Sequence, residues 1–157
     1  MIPALDRTRA LLNTPPPEPI PGQLDLTRSD MTQQPVRIQR RRTKGWRKPE
    51  GAVHVGRPTR FGNPYRIVRA DHGLIVQFGE SGGGVGVWPN ELEARRYATK
   101  AYRVWINQPE QTEQRRLFRA LLHGRDLVCW CPLPEPGQPD HCHAAVLLEL
   151  ANAPATP

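Results

Sequence analysis

Asp126-Leu127-Val128-Cys129-Trp130-Cys131, then ten intervening residues, then Cys142-His143 and the apolar run Ala144-Ala145-Val146-Leu147-Leu148: this segment decides how the chain is read. The first six residues have the composition of a strand. The second part reads as a helix from about Cys142 to Asn152. Side chains alternate along a strand, so Cys129 and Cys131 present two sulfurs to one face. Trp130 and Leu127 are expected to be buried on the other. At the helix start, unpaired N–H groups and the helix dipole favour a thiolate at Cys142.

These three cysteines are all the chain has, and they fall within fourteen residues. An odd number leaves one unpaired in any internal disulfide scheme, so a reducing compartment is expected, with thiols free or metal-bound. Zinc accepts three thiolates and one imidazole, which makes Cys129, Cys131, Cys142 and His143 a candidate metal set. In such a set the sulfurs should lie within about 4 Å of one another. Adjacent Cys and His diverge by about 100° on a regular helix, so the set requires Cys142 at or before the N-cap. A reactive or substrate-binding thiol site, and inert core cysteines, are the competing readings. His141 reads as a solvent-facing loop residue.

Working outward, a helix should open at Asn90, three residues before Glu93, in a capping-box arrangement. Its candidate buried positions are Leu92, Ala94, Tyr97, Ala98, Ala101, Tyr102, Val104 and Trp105. A second helix, about Glu110 to His123, carries the stripe Leu117, Phe118, Leu121 and Leu122 and stops at Gly124. Arg66 to Ala70 and Gly73 to Phe78 read as a hairpin, and residues 79–87, GESGGGVGV, as a flexible loop. Val36 to Arg42 reads as an edge strand with an exposed basic face, and Ala52 to Val55 as a short strand stopped by Gly56. Strands interleaved with helices indicate an α/β fold: one small sheet with three main helices, in a single domain over residues 36–152.

Directly after Val55 comes the loop Gly56-Arg57-Pro58-Thr59-Arg60-Phe61-Gly62-Asn63-Pro64-Tyr65. Loops at strand ends are where α/β proteins place ligand sites. Gly56 and Gly62 permit close approach or positive φ. Arg57 and Arg60 offer planar forks suited to phosphate, and Asn63 can bond its own backbone or a base edge. A rigid turn with solvated arginines would use the same residues. From Arg37 to Arg60 there are nine Lys or Arg and one acid, with Trp46 among them as a stacking candidate.

Formal charge is +7, which points to an anionic partner such as a nucleotide or nucleic acid. The first 35 residues hold seven of the 18 prolines and are expected to be a disordered tail, with at most a transient helical turn over 5–12. Residues 153–157 are expected to be a second, short tail. No stretch has the length of a signal peptide core or a membrane span, so a cytoplasmic protein with no membrane partner is expected.

VHVGRPTRFGNPY, the pattern AxxYxxW in the first long helix, GRDLVCWC and CHAAVLLELAN together resemble domain of unknown function 4326, a bacterial and phage family, over about residues 36–152. The resemblance implies motif positions and no chemistry. They are Gly56, Arg57, Pro58, Gly62, Asn63 and Pro64, and Cys129, Trp130, Cys131, Cys142 and His143. The loop from Cys131 to Cys142 is longer and richer in proline than is usual in the family. Ala145 stands where an acidic residue commonly follows the Cys-His pair, so that carboxylate does not carry over.

Two functions follow from these readings. The first is a ligand-binding or enzymatic pocket for a nucleotide or nucleic-acid component, built from the glycine–proline loop and a zinc- or thiol-bearing cluster, in which a zinc with only three protein ligands could activate water for hydrolysis. The second is a non-enzymatic nucleic-acid-binding protein with a structural zinc site. The lack of an obvious paired-carboxylate or Ser/His/Asp arrangement favours the second.

Overall fold

A computed structural model describes residues 34–154. Nearly all of the two expected tails, and the turn expected over 5–12, lie outside the described residues. Three short strands, β1 (Arg37–Gln39), β2 (Val53–His54) and β6 (Leu127–Cys129), form a parallel sheet in the order β1-β6-β2. The central strand is apolar and fully buried, as a parallel strand covered on both faces must be. Because all three strands run the same way, their C-terminal ends meet at one edge. There Arg40 follows β1, Gly56 follows β2 by one residue, and Trp130-Cys131 follows β6.

The second sheet was not expected. Strands β3 (Tyr65–Ala70) and β4 (Gly73–Phe78) form the anticipated hairpin, and β5 (Gly84–Trp88) adds a third antiparallel strand to β4. All of β5 except Trp88 lies in the stretch read as a flexible loop. Its glycines carry no strand propensity, but Gly86 sits at φ +71 beside a register shift at Ile75/Val76, a bulge that an ordinary side chain would resist. The class is therefore α/β with three helices, as expected, and the corrected sheet count is two.

Helix α1 (Glu91–Ile106) is capped by Asn90, whose side chain accepts from Glu93 N at 2.9 Å. Its buried line is Ala94, Ala98, Tyr102 and Ile106, one residue every four. Leu92 and Val104 are two residues off that line, about 200° round the helix, and are exposed. Ala94 and Ala98 pack on Leu74 and Val76 of the antiparallel sheet. Tyr102 and Ile106 enter the main core with Phe118, Leu122, Leu127 and Leu147. One helix thus carries both sheets.

A short 3-10 turn, Pro109–Gln111, leads into α2 (Thr112–Leu122). Phe118 and Leu122 are its buried residues, while Leu117 and Leu121, one step off the stripe, are exposed. α3 (His143–Asn152) lies against β6 and α2 and is apolar on most of its surface. Among the described residues no helix is long and apolar enough to cross a membrane.

Since Asn90 is exposed and satisfies the first turn of α1, Asn90→Ala should cost about 1 kcal/mol and lower Tm by several degrees. Thermal denaturation followed by circular dichroism measures this; an unchanged Tm would show that α1 is held by packing alone.

Candidate metal and ligand site

Strand alternation directs Cys129 into the main core, toward α3, and Cys142 reaches the same place from the helix side. Cys142 is the N-cap of α3, with extended backbone and its sulfur 3.4 Å from Ala144 N. That is the position the adjacent Cys-His pair required. The three sulfurs of Cys129, Cys131 and Cys142 lie within 4.8 Å of one another, a little looser than the 4 Å expected, and Cys129 and Cys131 are 3.8 Å apart. All three are free thiols.

His143 is buried beside them. Its Nδ1 is 4.0 Å from Cys129 Sγ and 3.9 Å from Cys142 Sγ. Its Nε2 is 2.9 Å from the carbonyl of Val55. A carbonyl can only accept, so Nε2 carries the proton and the Nδ1 lone pair faces the sulfurs. The ring of Tyr102 meets His143 edge-on at 5.8 Å and further restricts it.

The three thiols do not share their protons equally. Hydrogen bonding with Cys131 and Cys142 holds the Cys129 thiol well below its ordinary range, against the effect of burial. Its bond to Cys129 pushes Cys131 up to about 11, and bonds to Cys129 and Cys131 also raise Cys142. Negative charge therefore collects first on Cys129. The donor set suits a soft cation: sulfurs at about 2.3 Å from a tetrahedral ion sit about 3.8 Å apart, the separation of Cys129 and Cys131. Cys129, Cys131 and Cys142 could hold a metal ion.

What shapes this cluster is Arg37, expected on an exposed basic face and instead buried. Its Nε pairs with Asp140, Nη1 donates to Cys131 O at 2.9 Å and Nη2 to Pro132 O at 2.8 Å. One guanidinium thus ties both ends of the proline-rich loop between Cys131 and Cys142. Burial, the largest single influence, would lower its pKa; the bond to Asp140 and the negative charge of Cys142, Asp140 and Cys131 together outweigh this and hold it above the usual arginine value.

The cluster forms one wall of a cavity of about 330 Å³, near the small end of the range for small-molecule sites. Gly56, Arg57 and Asn63 line it too, so the two motif segments meet. The residues of the glycine–proline loop have different tasks. Phe61 anchors the loop in the core against Phe118, ring centroids 5.0 Å apart. Asn63 is committed to structure: its amide donates to Ala98 O at 3.2 Å and accepts from Tyr65 N at 2.8 Å. Neither Gly56 nor Gly62 is left-handed; a Cβ on Gly62 would lie 2.7 Å from Arg57 Cγ, so close approach is what it provides. Arg57 donates to Asn63 O at 3.2 Å. Pro58 and Arg60 are exposed and do not line the cavity.

Among the cavity residues that escaped sequence reasoning, three can meet a ligand with polar or charged groups. Arg95 and Thr99 come from the polar flank of α1, and His141, read as solvent-facing, lines the same space. Their signal was available only as spacing: Arg95 and Thr99 are one turn apart beside the buried Ala94–Ala98 line. Trp130, just beyond the end of β6, lines the same cavity and is 36% exposed instead of buried. Leu127 shares the core, and so the face, of Cys129, which alternation demands. The guanidinium carbons of Arg40 and Arg42 lie 4.3 and 5.0 Å from the Trp130 ring centroid.

Fold and site define a small mixed α/β protein with a thiol cluster at the C-terminal edge of a parallel sheet. A family model described as a domain of unknown function (DUF4326) matches residues 38–153, and the chain belongs to that family. No curated protein and no solved structure matches the chain.

Removing one partner of a buried pair strands the other charge, so Arg37→Met should destabilise the protein by about 3–5 kcal/mol. Asp140→Asn added to Arg37→Met should recover part of that loss. Urea denaturation of the three proteins provides the comparison; a midpoint unmoved by Arg37→Met would contradict the clamp.

Proposed function

We propose that Cys129, Cys131 and Cys142 bind zinc with His143 Nδ1 as the fourth ligand, and that the adjoining cavity binds a nucleotide or nucleic-acid component. The observation that carries this reading is the convergence of three thiols and a correctly oriented imidazole on the wall of a cavity that Arg57 also lines. Thiolate sulfur with one imidazole is a common structural zinc set, and a backbone carbonyl on the far ring nitrogen is the usual support for a ligating histidine. When bound, zinc would offset two of the three thiolate charges and join β6 to the start of α3. Arg57 and Arg95 would then take the anionic part of the ligand, since planar guanidinium forks suit phosphate.

A purely binding role, with zinc as a folding staple, is favoured by the cavity's chemistry. None of its described lining residues is a carboxylate, so paired-carboxylate acid–base work has no candidate there. The guanidinium groups of Arg57 and Arg95 in the lining suit an anion.

Elemental analysis should find a single zinc ion per chain, and thiol titration should find the three cysteines unreactive until a chelator is added. Cys131→Ser should lose the metal and lower Tm together, because metal binding is coupled to folding. Calorimetric titration with a mononucleotide should then show binding that Arg57→Ala weakens roughly tenfold, about 1.4 kcal/mol, as expected for a charge-assisted contact. Metal-free protein with three reactive thiols and an unchanged Tm in Cys131→Ser would discard zinc and leave a thiol site.

A further inference from the structure

We infer that the ligand is a single strand of nucleic acid, whose backbone crosses Arg40 and Arg42 on Trp130 while one of its nucleotides enters the cavity. This rests on the nucleotide reading of the cavity above and adds the length and form of the ligand.

Trp130 lines two spaces at once. On one side is the cavity beside the thiols; on the other is an open groove formed by Gln39, Arg40, Arg41, Arg42 and Thr43. The positive track therefore continues beyond the volume a single nucleotide needs. Arg40 and Arg42 hold their guanidinium carbons within 5.0 Å of the indole centroid. Cation–π contact of this kind fixes the guanidinium planes and reduces the ordering cost of binding phosphate. Among the described residues neither side chain pairs with a carboxylate or donates a hydrogen bond, which leaves their donors without a partner there. Arg37, three residues before Arg40, is by contrast wholly spent on Asp140 and two carbonyls.

The exposed indole distinguishes strand from duplex. Base faces are stacked away inside a helix and free in a single strand, where any base can lie on an aromatic ring. Trp46, the aromatic that the sequence offered for this task, is half-buried and makes no ring or cation contact among the described residues. The stacking residue is Trp130, delivered by β6 to the same edge at which β1 delivers the arginines.

Fluorescence anisotropy with a short labelled oligothymidylate, the matching duplex, and thymidine monophosphate as competitor tests this on the full chain. Wild-type protein should bind the single strand at least tenfold more tightly than the duplex. Arg40→Ala with Arg42→Ala, both outside the core, should weaken the single strand about tenfold or more and flatten the log–log salt dependence by about 1.4, or 0.7 for each lost phosphate contact. Trp130→Leu should weaken it by a similar factor, with a melting curve to confirm folding. The strand inference is overturned by duplex binding as tight as single-strand binding, or by an affinity indifferent to the double arginine substitution. Thymidine monophosphate that binds as well as the oligonucleotide would overturn it while leaving the nucleotide cavity standing. No binding of either probe at low salt would overturn both.

Discussion

The guanidinium of Arg37 holds together the two ends of a ten-residue, proline-rich loop, and the thiol site exists because it does. A loop of that length has no secondary structure of its own to set the distance between Cys131 and Cys142. Arg37 sets it by bonding the chain just after one cysteine and pairing with the residue two before the other. β1 in turn fixes Arg37, because Arg37 is in register with Leu127 on the central strand. A buried arginine is costly to desolvate, and only full use of its planar fork offsets that cost. Here three of its nitrogens have partners.

Parallel pairing supplies the second constraint. With β1, β6 and β2 aligned, three connecting segments leave the sheet at the same edge, each with a different chemistry. β1 releases the arginine run, β6 the Cys-Trp-Cys turn, and β2 the glycine–proline loop. The N-terminus of α3 comes to the same place with Cys142 as its cap, Ala144 N donating to the Cys142 sulfur. Ligand sites in open α/β sheets commonly form where strand ends converge in this way. Positive side chains around a cluster that concentrates negative charge on Cys129 keep the site electrostatically consistent.

The glycine–proline loop is stiffened by contacts that leave some residues free for ligand and others not. Asn63, whose side chain resembles a ligand-binding amide in sequence, spends both ends holding the loop to α1 and to its own backbone. Phe61 fills the core, and Gly62 makes room for the stem of Arg57. Arg57 is what remains to face the cavity, while Arg60 points elsewhere. Division of labour within one motif explains why its residues cannot be read as a uniform binding signature.

Local signals in the sequence determined the three helices, the β3–β4 hairpin and the position of Cys142 at a helix start, because capping, periodicity and breakers act within a few residues. They also marked Cys129, Cys131, Cys142 and His143 as one cluster, since strand alternation and a helix N-terminus are short-range geometry. Burial and partnership were decided only by the tertiary structure. A basic run looks alike whether an arginine is solvated, as Arg41 is, or buried on an aspartate a hundred residues away, as Arg37 is. β5 depended on pairing with β4 to become a strand, which its glycines could not announce. Trp130 was expected in the core, but whether a side chain just beyond a strand is buried depends on what crosses it, and there the arginines following β1 leave it partly open. Arg95, Thr99 and His141 join the site only because α1 and the proline-rich loop are packed beside the sheet edge, and contacts across such distances along the chain have no local sequence signal.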